Sequence, residues 1–189
     1  MKSWKQWLAA LVVLGTMMLS GTALASNHSQ HMRTPIDWHQ SSETVAYPNL
    51  KRAKNPWVKV DLRHSRTYIY DGPKLLYTMY SSAGVYKTNG ATKKKQSVTP
   101  IGTFQVQDIR KDRIYNPSLG LGANYCVAWN GDYMFHSVVT DQQPQHYLKG
   151  EAAKLGKAPS SPGCVCLSIP DAQWMEHNLP TGTKVEVVD

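Results

Sequence analysis

The sequence predicts a mainly β protein with two or three short helices, built as a sandwich or a barrel-like pair of sheets. Apolar and polar residues alternate with a period of two over residues 57–62 and 183–188, which indicates half-buried strands. Turn sequences separate the apolar runs, as at Asn130-Gly131. Ser168, followed three residues later by Asp171, is typical of the cap that opens a short helix.

The predicted strands begin near residue 57 and continue to the end of the chain. The first three cover residues 57–62, 67–70 and 75–80, the last two joined by the turn at residues 71–73. A further strand covers residues 101–107, a hairpin pairs residues 125–129 with 133–135, and the last strand covers residues 183–188.

Two helices and two loops complete the prediction. One helix covers residues 143–155, and the other runs from the Ser168 cap through Asn178. Residues 88–99 and 110–124 are predicted as loops. The first loop contains three consecutive lysines at positions 93–95, which indicate either a solvated surface or contact with a wall polymer.

The first 25 residues have the pattern of a secretory signal. Lys2 and Lys5 precede an apolar run that is short for a membrane span, and residues 23–25 read A-L-A, a cleavage pattern. We predict a signal peptide at residues 1–25, an extended arm or linker at 26–55, and one folded domain at 56–189. The alternative is an uncleaved membrane anchor.

The chain is basic, with a formal net charge of +8 at pH 7. Such a charge favours an anionic cell wall, a membrane surface or nucleic acid as a partner, although solubility alone is also an explanation. Export argues against nucleic acid, so no nucleic-acid partner is predicted.

Three cysteines, Cys126, Cys164 and Cys166, follow the signal, too few for a disulfide scaffold, and their odd number indicates a free thiol. Cys164 follows Gly163 in a turn of small residues, which suits an exposed nucleophile. Gly163 lets the backbone bend and leaves amide groups to face an oxyanion. The alternative is a buried structural cysteine.

A thiol nucleophile needs a base, and His136 at the end of a predicted strand is the preferred candidate. His146 is the second candidate, but it falls in a predicted exposed helix. These histidines and the three cysteines could also bind a metal ion. A single Cys-x-Cys pair without a second pair is weak for zinc, so no metal site is predicted.

Four segments together resemble one known family. They are the opening strands at 58–62 and 67–70, T-P-I-G-T-F at 99–104, F-H-S at 135–137, and S-P-G-C-V at 161–165. These residues resemble the L,D-transpeptidase catalytic domain of the YkuD type, over roughly residues 57–188. The resemblance implies a YkuD-like fold of mixed, curled sheets.

The resemblance also implies an activity. It implies that Cys164 forms a thioester with a peptidoglycan stem peptide, releases D-alanine and transfers the stem to an acceptor amine, with His136 as the base. Ser137 is predicted to orient His136 or the substrate, and amides near Gly163 to stabilise the oxyanion. Ser161 is predicted to contact the substrate, and we predict the same role for the aromatic residues Tyr115 and Trp129.

No cofactor is implied, and a secreted, cell-wall-associated monomer without stable membrane association is expected. Two alternatives stay open: an L,D-carboxypeptidase that uses water at the same site, and a non-catalytic wall-binding protein.

The chain departs from the family pattern at two positions. Pro162 stands where the family often has histidine, and Cys166 where it often has arginine or asparagine. Cys166 is therefore a candidate to form a disulfide with Cys126, on a strand that could be its neighbour.

Overall fold

β-Strands are the main secondary structure of the protein, as seen in a computed structural model that describes residues 28–189. The strands are β1 (Pro56–Asp61), β2 (Arg66–Asp71), β3 (Lys74–Ser82), β4 (Tyr86–Thr88), β5 (Lys95–Ser97), β6 (Gly102–Gln105), β7 (Arg110–Asn116), β8 (Leu121–Asn130), β9 (Tyr133–Ser137), β10 (Val165–Leu167) and β11 (Lys184–Val188). The helices are α1 (Lys149–Ala152), α2 (Ile169–Asn178) and a short 3-10 helix, Leu50–Arg52.

Nine of these strands form one sheet in the order β6-β11-β1-β2-β3-β10-β9-β8-β7, and β4 and β5 form a separate hairpin. The large sheet curls until the residues that follow β6, at one end, reach β8 near the other end. The N–H of Gln107, just after β6, donates to the carbonyl of Ala128 on β8 at 2.8 Å. The N–H of Ala128 in turn donates to the carbonyl of Ile109 at 3.0 Å. The mainly β, barrel-like class predicted from the sequence is confirmed.

The hydrophobic core lies inside the curl. Helix α2 closes it by packing Ala172 and Met175 against β8 and β9. Ser168 caps this helix as predicted, because its hydroxyl accepts from the N–H of Asp171 at 3.2 Å. The predicted hairpin of β8 and β9 and the first three strands are also confirmed.

Three predicted elements were wrong. Residues 110–116 form strand β7 rather than a loop, because an edge strand pairs on one side only and can carry charges where a central strand carries apolar residues. The predicted loop 88–99 contains most of the β4–β5 hairpin. Only Lys149–Ala152 of the helix predicted at 143–155 is helical, because the N–H of Leu148 pairs instead with Val139 at 3.0 Å.

The predicted signal peptide lies outside the described residues. Within residues 28–189, no helix combines the length and apolar character needed to cross a membrane. The segment predicted as an arm or linker packs against the domain over its described part. Ser42 donates to Asp171 on α2 through its hydroxyl at 2.5 Å, and Tyr47 donates to the same carboxylate at 2.7 Å.

This attachment buries Asp171 completely. Burial raises the pKa of the Asp171 carboxyl to about 6, although the hydrogen bonds from Ser42 and Tyr47 act in the opposite direction. The folded pKa therefore lies above the unfolded value, and the folded state binds the additional proton between about pH 4 and pH 6. Stability from this group is present below its unfolded pKa and is lost as the pH rises through 6.

We expect Asp171→Asn to remove this pH dependence. As the pH falls from about 7 to about 4.5, the free energy of unfolding of the wild type should rise relative to the variant by about 2 kcal/mol. Urea unfolding across this range measures the difference. The exposed control Asp112→Asn should track the wild type, and a constant gap between wild type and Asp171→Asn would contradict the prediction.

Candidate active site

Two parallel strands bring Cys164 and His136 together. Strand β10 pairs with β9, with Val165 opposite Phe135 and Cys166 opposite His136. Side chains alternate between the faces of a sheet, so Cys164, two residues before Cys166, lies on the same face as His136. The opposite face carries Val165 and Phe135 into the core.

The side chains of Cys164 and His136 are close enough for each to shift the pKa of the other. Burial alone would raise the pKa of the Cys164 thiol, but the hydrogen bond and the positive charge of His136 outweigh it and lower the pKa. Burial alone would likewise lower the pKa of His136, but the bond to Cys164 and the thiolate charge raise it. Both shifts favour a thiolate paired with an imidazolium.

A backbone carbonyl orients the histidine ring. The Nδ1 of His136 lies 2.7 Å from the carbonyl oxygen of Ser137, which fixes the proton on Nδ1 and leaves Nε2 to face Cys164. The Ser137 hydroxyl is directed elsewhere: it accepts from the Asn124 N–H at 3.1 Å and donates to the carbonyl of Val138 at 2.9 Å. Ser137 therefore acts on His136 through its backbone and not through its hydroxyl.

The other two cysteines are buried and free. Burial raises the pKa of Cys126 and of Cys166 to about 12 in each case. The proposed disulfide between them was wrong, because β9 lies between β8 and β10. Strands two positions apart are separated by about 9.6 Å, beyond the roughly 7 Å that a disulfide can bridge between Cα atoms.

The turn that presents the thiol, residues 160–164, is called here the Cys164 turn. Within it, the Ser161 hydroxyl accepts from the Gly163 N–H at 3.0 Å and donates to the carbonyl of Cys164 at 2.5 Å. Ser161 is 3% exposed. Ser161 therefore stabilises the turn from its buried side. This placement does not support the predicted contact between Ser161 and the substrate.

Gly163 is required by its surroundings. Its φ of +146° is strained for any residue with a side chain, and an added Cβ would lie 2.5 Å from the ring of Tyr133. Its N–H is already donated to Ser161, so the expectation that this amide faces an oxyanion is not met in this conformation. The Sγ of Cys164 lies 3.5 Å from the carbonyl oxygen of Asp132, in the turn between β8 and β9.

Thr99 holds the Cys164 turn from outside, a role that the sequence did not predict. Its hydroxyl accepts from the Gly84 N–H at 2.8 Å and donates to the carbonyl of Gly163 at 2.8 Å. Thr99 is 1% exposed, so water cannot replace either bond. The signal in the sequence was Thr99 itself, a hydroxyl residue opening the T-P-I-G-T-F segment.

The two predicted aromatic contacts lie away from the pair. Trp129 is 1% exposed and packs against Phe104 and Phe135, so it belongs to the core and not to a substrate surface. Tyr115 lies on β7, three strand positions from β10, beneath the guanidinium of Arg113. The structure does not bring either residue to Cys164.

The alternative histidine is also elsewhere. His146 is exposed and pairs with Asp141 at 2.5 Å. Among residues 28–189, no three His, Cys, Asp or Glu side chains are grouped so that they could hold a metal ion.

Comparison with known proteins identifies the fold around this pair. The sequence profile of the YkuD family, described as the L,D-transpeptidase catalytic domain, matches residues 55–187. The chain belongs to the YkuD family. YciB of Bacillus subtilis (strain 168), a protein named as an L,D-transpeptidase, is 38% identical over 157 residues, which cover 82% of this chain and 76% of YciB.

Solved structures agree on the fold. An L,D-transpeptidase from Mycobacterium smegmatis superposes with a TM-score of 0.53 at 19% identity, over 71% of this chain and 59% of the other. One from Xylanimonas cellulosilytica gives a TM-score of 0.51 at 20% identity, over 76% and 65%. This YkuD chain therefore spans about three fifths of the length of these solved proteins.

Proposed function

We propose that this YkuD-family protein is an exported cysteine L,D-transpeptidase that acts on peptidoglycan stem peptides. The observation that carries the proposal is that the parallel neighbours β9 and β10 place Cys164 and His136 on one face of the sheet, with the pKa of the thiol lowered and that of the imidazole raised. Thiolate is the reactive form of cysteine, and the lowered pKa of Cys164 favours it. Family membership supports an acyltransferase reaction.

In the first half-reaction, the Cys164 thiolate attacks the carbonyl carbon of the third stem residue. For the oxyanion we assign the N–H of Cys164 as a donor, because the Gly163 N–H is already bonded to Ser161. The His136 imidazolium then gives its Nε2 proton to the nitrogen of the departing D-alanine as the C–N bond breaks. The product is a thioester on Cys164 and a neutral His136.

In the second half-reaction, an amine of a neighbouring stem attacks the thioester carbonyl. His136 accepts a proton from that amine, and collapse of the tetrahedral intermediate expels the thiolate beside the re-formed imidazolium. The enzyme returns to its starting state with one new amide bond. Water in place of the amine would make the same site an L,D-carboxypeptidase.

The proposed location follows from the signal pattern at residues 1–25 and from the substrate. Peptidoglycan lies outside the cytoplasm, so a transpeptidase that acts on it must be exported. We propose a protein that is secreted and cell-wall associated and that is a monomer without stable membrane attachment once the signal is removed.

Mass spectrometry of the products formed from purified tetrapeptide stems tests the proposal. With the wild type we expect a linked dimer and free D-alanine, and with Cys164→Ala neither product. Cys166→Ala is the matched control, because its thiol is buried and its substitution should leave both products. Tripeptide and D-alanine without dimer would mean hydrolysis, and no turnover by the wild type would favour a wall-binding protein.

A further inference from the structure

The β4–β5 hairpin carries a cluster of lysines. Residues 85–98 contain four lysines, Lys87, Lys93, Lys94 and Lys95, and no acidic residue. All four side chains are exposed, and none forms an ion pair with another residue in the 28–189 range. An acidic residue does touch the base of the hairpin, where the Tyr86 hydroxyl donates to Asp189.

The loop that carries the lysines is ordered by Asn89. The side-chain oxygen of Asn89 accepts from the N–H groups of Ala91 and Thr92 at 2.9 and 3.0 Å, and the backbone N–H of Asn89 donates to the carbonyl of Lys94 at 2.8 Å. Lys93 has a φ of +56°, a conformation that lysine rarely adopts. The positive charges are therefore presented on a shaped loop, which reduces the entropy lost when a partner binds.

The hairpin is attached directly to the Cys164 turn. The N–H of Val85, at the start of the hairpin, donates to the carbonyl of Ser161 at 3.0 Å. At its other end, Thr99 bonds to Gly163. Lys87 and Lys95 lie two and four residues from these attachments, which is about 7 and 13 Å along the strands.

We propose that this hairpin is a docking surface for a linear anionic polymer whose phosphate or carboxylate groups recur along its chain. A single exposed lysine binds a small anion weakly. Four lysines on one hairpin bind linked anions with higher affinity, because the later contacts form within one complex. A polymer bound there would lie beside the Cys164 turn. This goes beyond the proposed transpeptidation, because binding requires no turnover.

The surroundings favour such a polymer over the other partners of a basic surface. The exposed large hydrophobic residues of the described chain, Val45, Ile101, Ile109 and Leu119, all lie outside the hairpin, so the hairpin offers no large exposed apolar side chain to a membrane. Its single aromatic residue, Tyr86, is tied to Asp189 at the base and offers no stacking platform for nucleic-acid bases.

Binding of labelled polyphosphate and labelled poly-glutamate to the Cys164→Ala protein, measured by fluorescence anisotropy, tests the proposal. The hairpin variant is Lys93→Asn/Lys94→Gln/Lys95→Gln, where asparagine is chosen because it tolerates a positive φ. The control variant is Lys51→Gln/Lys54→Gln/Lys74→Gln. It removes the same charge near the start of β3, at the end of this strand that lies away from the hairpin. Both variants lower the net charge equally.

We expect the hairpin variant to bind at least one polymer about tenfold more weakly at about 0.05 M salt, and the control variant to lose less than about twofold. The polymer that loses more affinity identifies phosphate or carboxylate as the preferred group. Equal losses in both variants would overturn the proposal, as would tighter binding of a single-stranded oligonucleotide or of anionic vesicles than of either polymer. Because Cys164→Ala is inactive under the proposed function, the binding result stands apart from any result on transpeptidation.

Discussion

Replacing His136 with glutamine is expected to slow the alkylation of Cys164 at pH 7 by at least about tenfold. The hydrogen bond and charge of His136 lower the pKa of the thiol against the effect of burial. Without them burial dominates, the pKa rises, and the thiolate fraction at neutral pH falls about tenfold for each pKa unit. Turnover of stem peptides should fall further, because His136 also supplies the proton for D-alanine.

The pH profile of the iodoacetamide reaction measures this effect. In the wild type only one of the three cysteines should react, because Cys126 and Cys166 are buried with pKa values of about 12. The inflection assigned to Cys164 should move to higher pH in His136→Gln and should not move in His146→Gln, whose ring pairs with Asp141 at the surface. An unchanged inflection in His136→Gln would remove the basis for a thiolate–imidazolium pair.

The pair itself could be predicted from the sequence, because each member sits in a local pattern with chemical meaning. Gly163 before Cys164 marks a sharp turn, and His136 ends an apolar strand. That β9 and β10 are parallel neighbours is a tertiary fact, and it decides that the two side chains meet. The same fact excludes the disulfide between Cys126 and Cys166, which sequence spacing alone allowed.

The positions of aromatic residues were harder to predict from the sequence, because the same side chain can line a substrate cleft or pack in the core. Trp129 lies on β8 facing inward with Phe135 of β9, and only the curl of the sheet decides that this face is the interior. Strand β7 was missed for a related reason. An edge strand needs no apolar alternation, so the turn signals at Asn116-Pro117, Gly120 and Gly122 led to the prediction of a loop over residues 110–124.

The same limit applies to the polar contacts that hold the site. Ser161 and Thr99 were both visible in motifs, but their roles depend on which buried backbone groups they reach. Ser161 bonds within its own turn, and Thr99 bonds to Gly163, 64 residues further along the chain. A contact of that range has no periodic signal, so a hydroxyl residue in a motif predicts importance without predicting its partner.

Thr99→Val is therefore expected to reduce turnover strongly, although Thr99 touches neither the thiol nor the histidine. Valine has nearly the shape of threonine but leaves the Gly84 N–H and the Gly163 carbonyl without partners in a site closed to water. Leaving two buried polar groups unpaired should cost about 2–4 kcal/mol of stability. Relaxation of Gly163 toward another donor would displace Cys164, and a shift of about 1 Å can lower kcat about 100-fold.

Kinetics well below the unfolding temperature separate positioning from stability. In the folded fraction of Thr99→Val, kcat should fall while KM changes little, and the inflection of Cys164 alkylation should move because the thiol no longer meets His136 in the same geometry. Thr99→Ser keeps the hydroxyl and should recover most of kcat. Thr103→Val alters an exposed residue of the same segment and should leave kcat unchanged. If Thr99→Val lowers only the unfolding temperature and the folded protein keeps the wild-type kcat, Thr99 stabilises the domain without positioning Cys164.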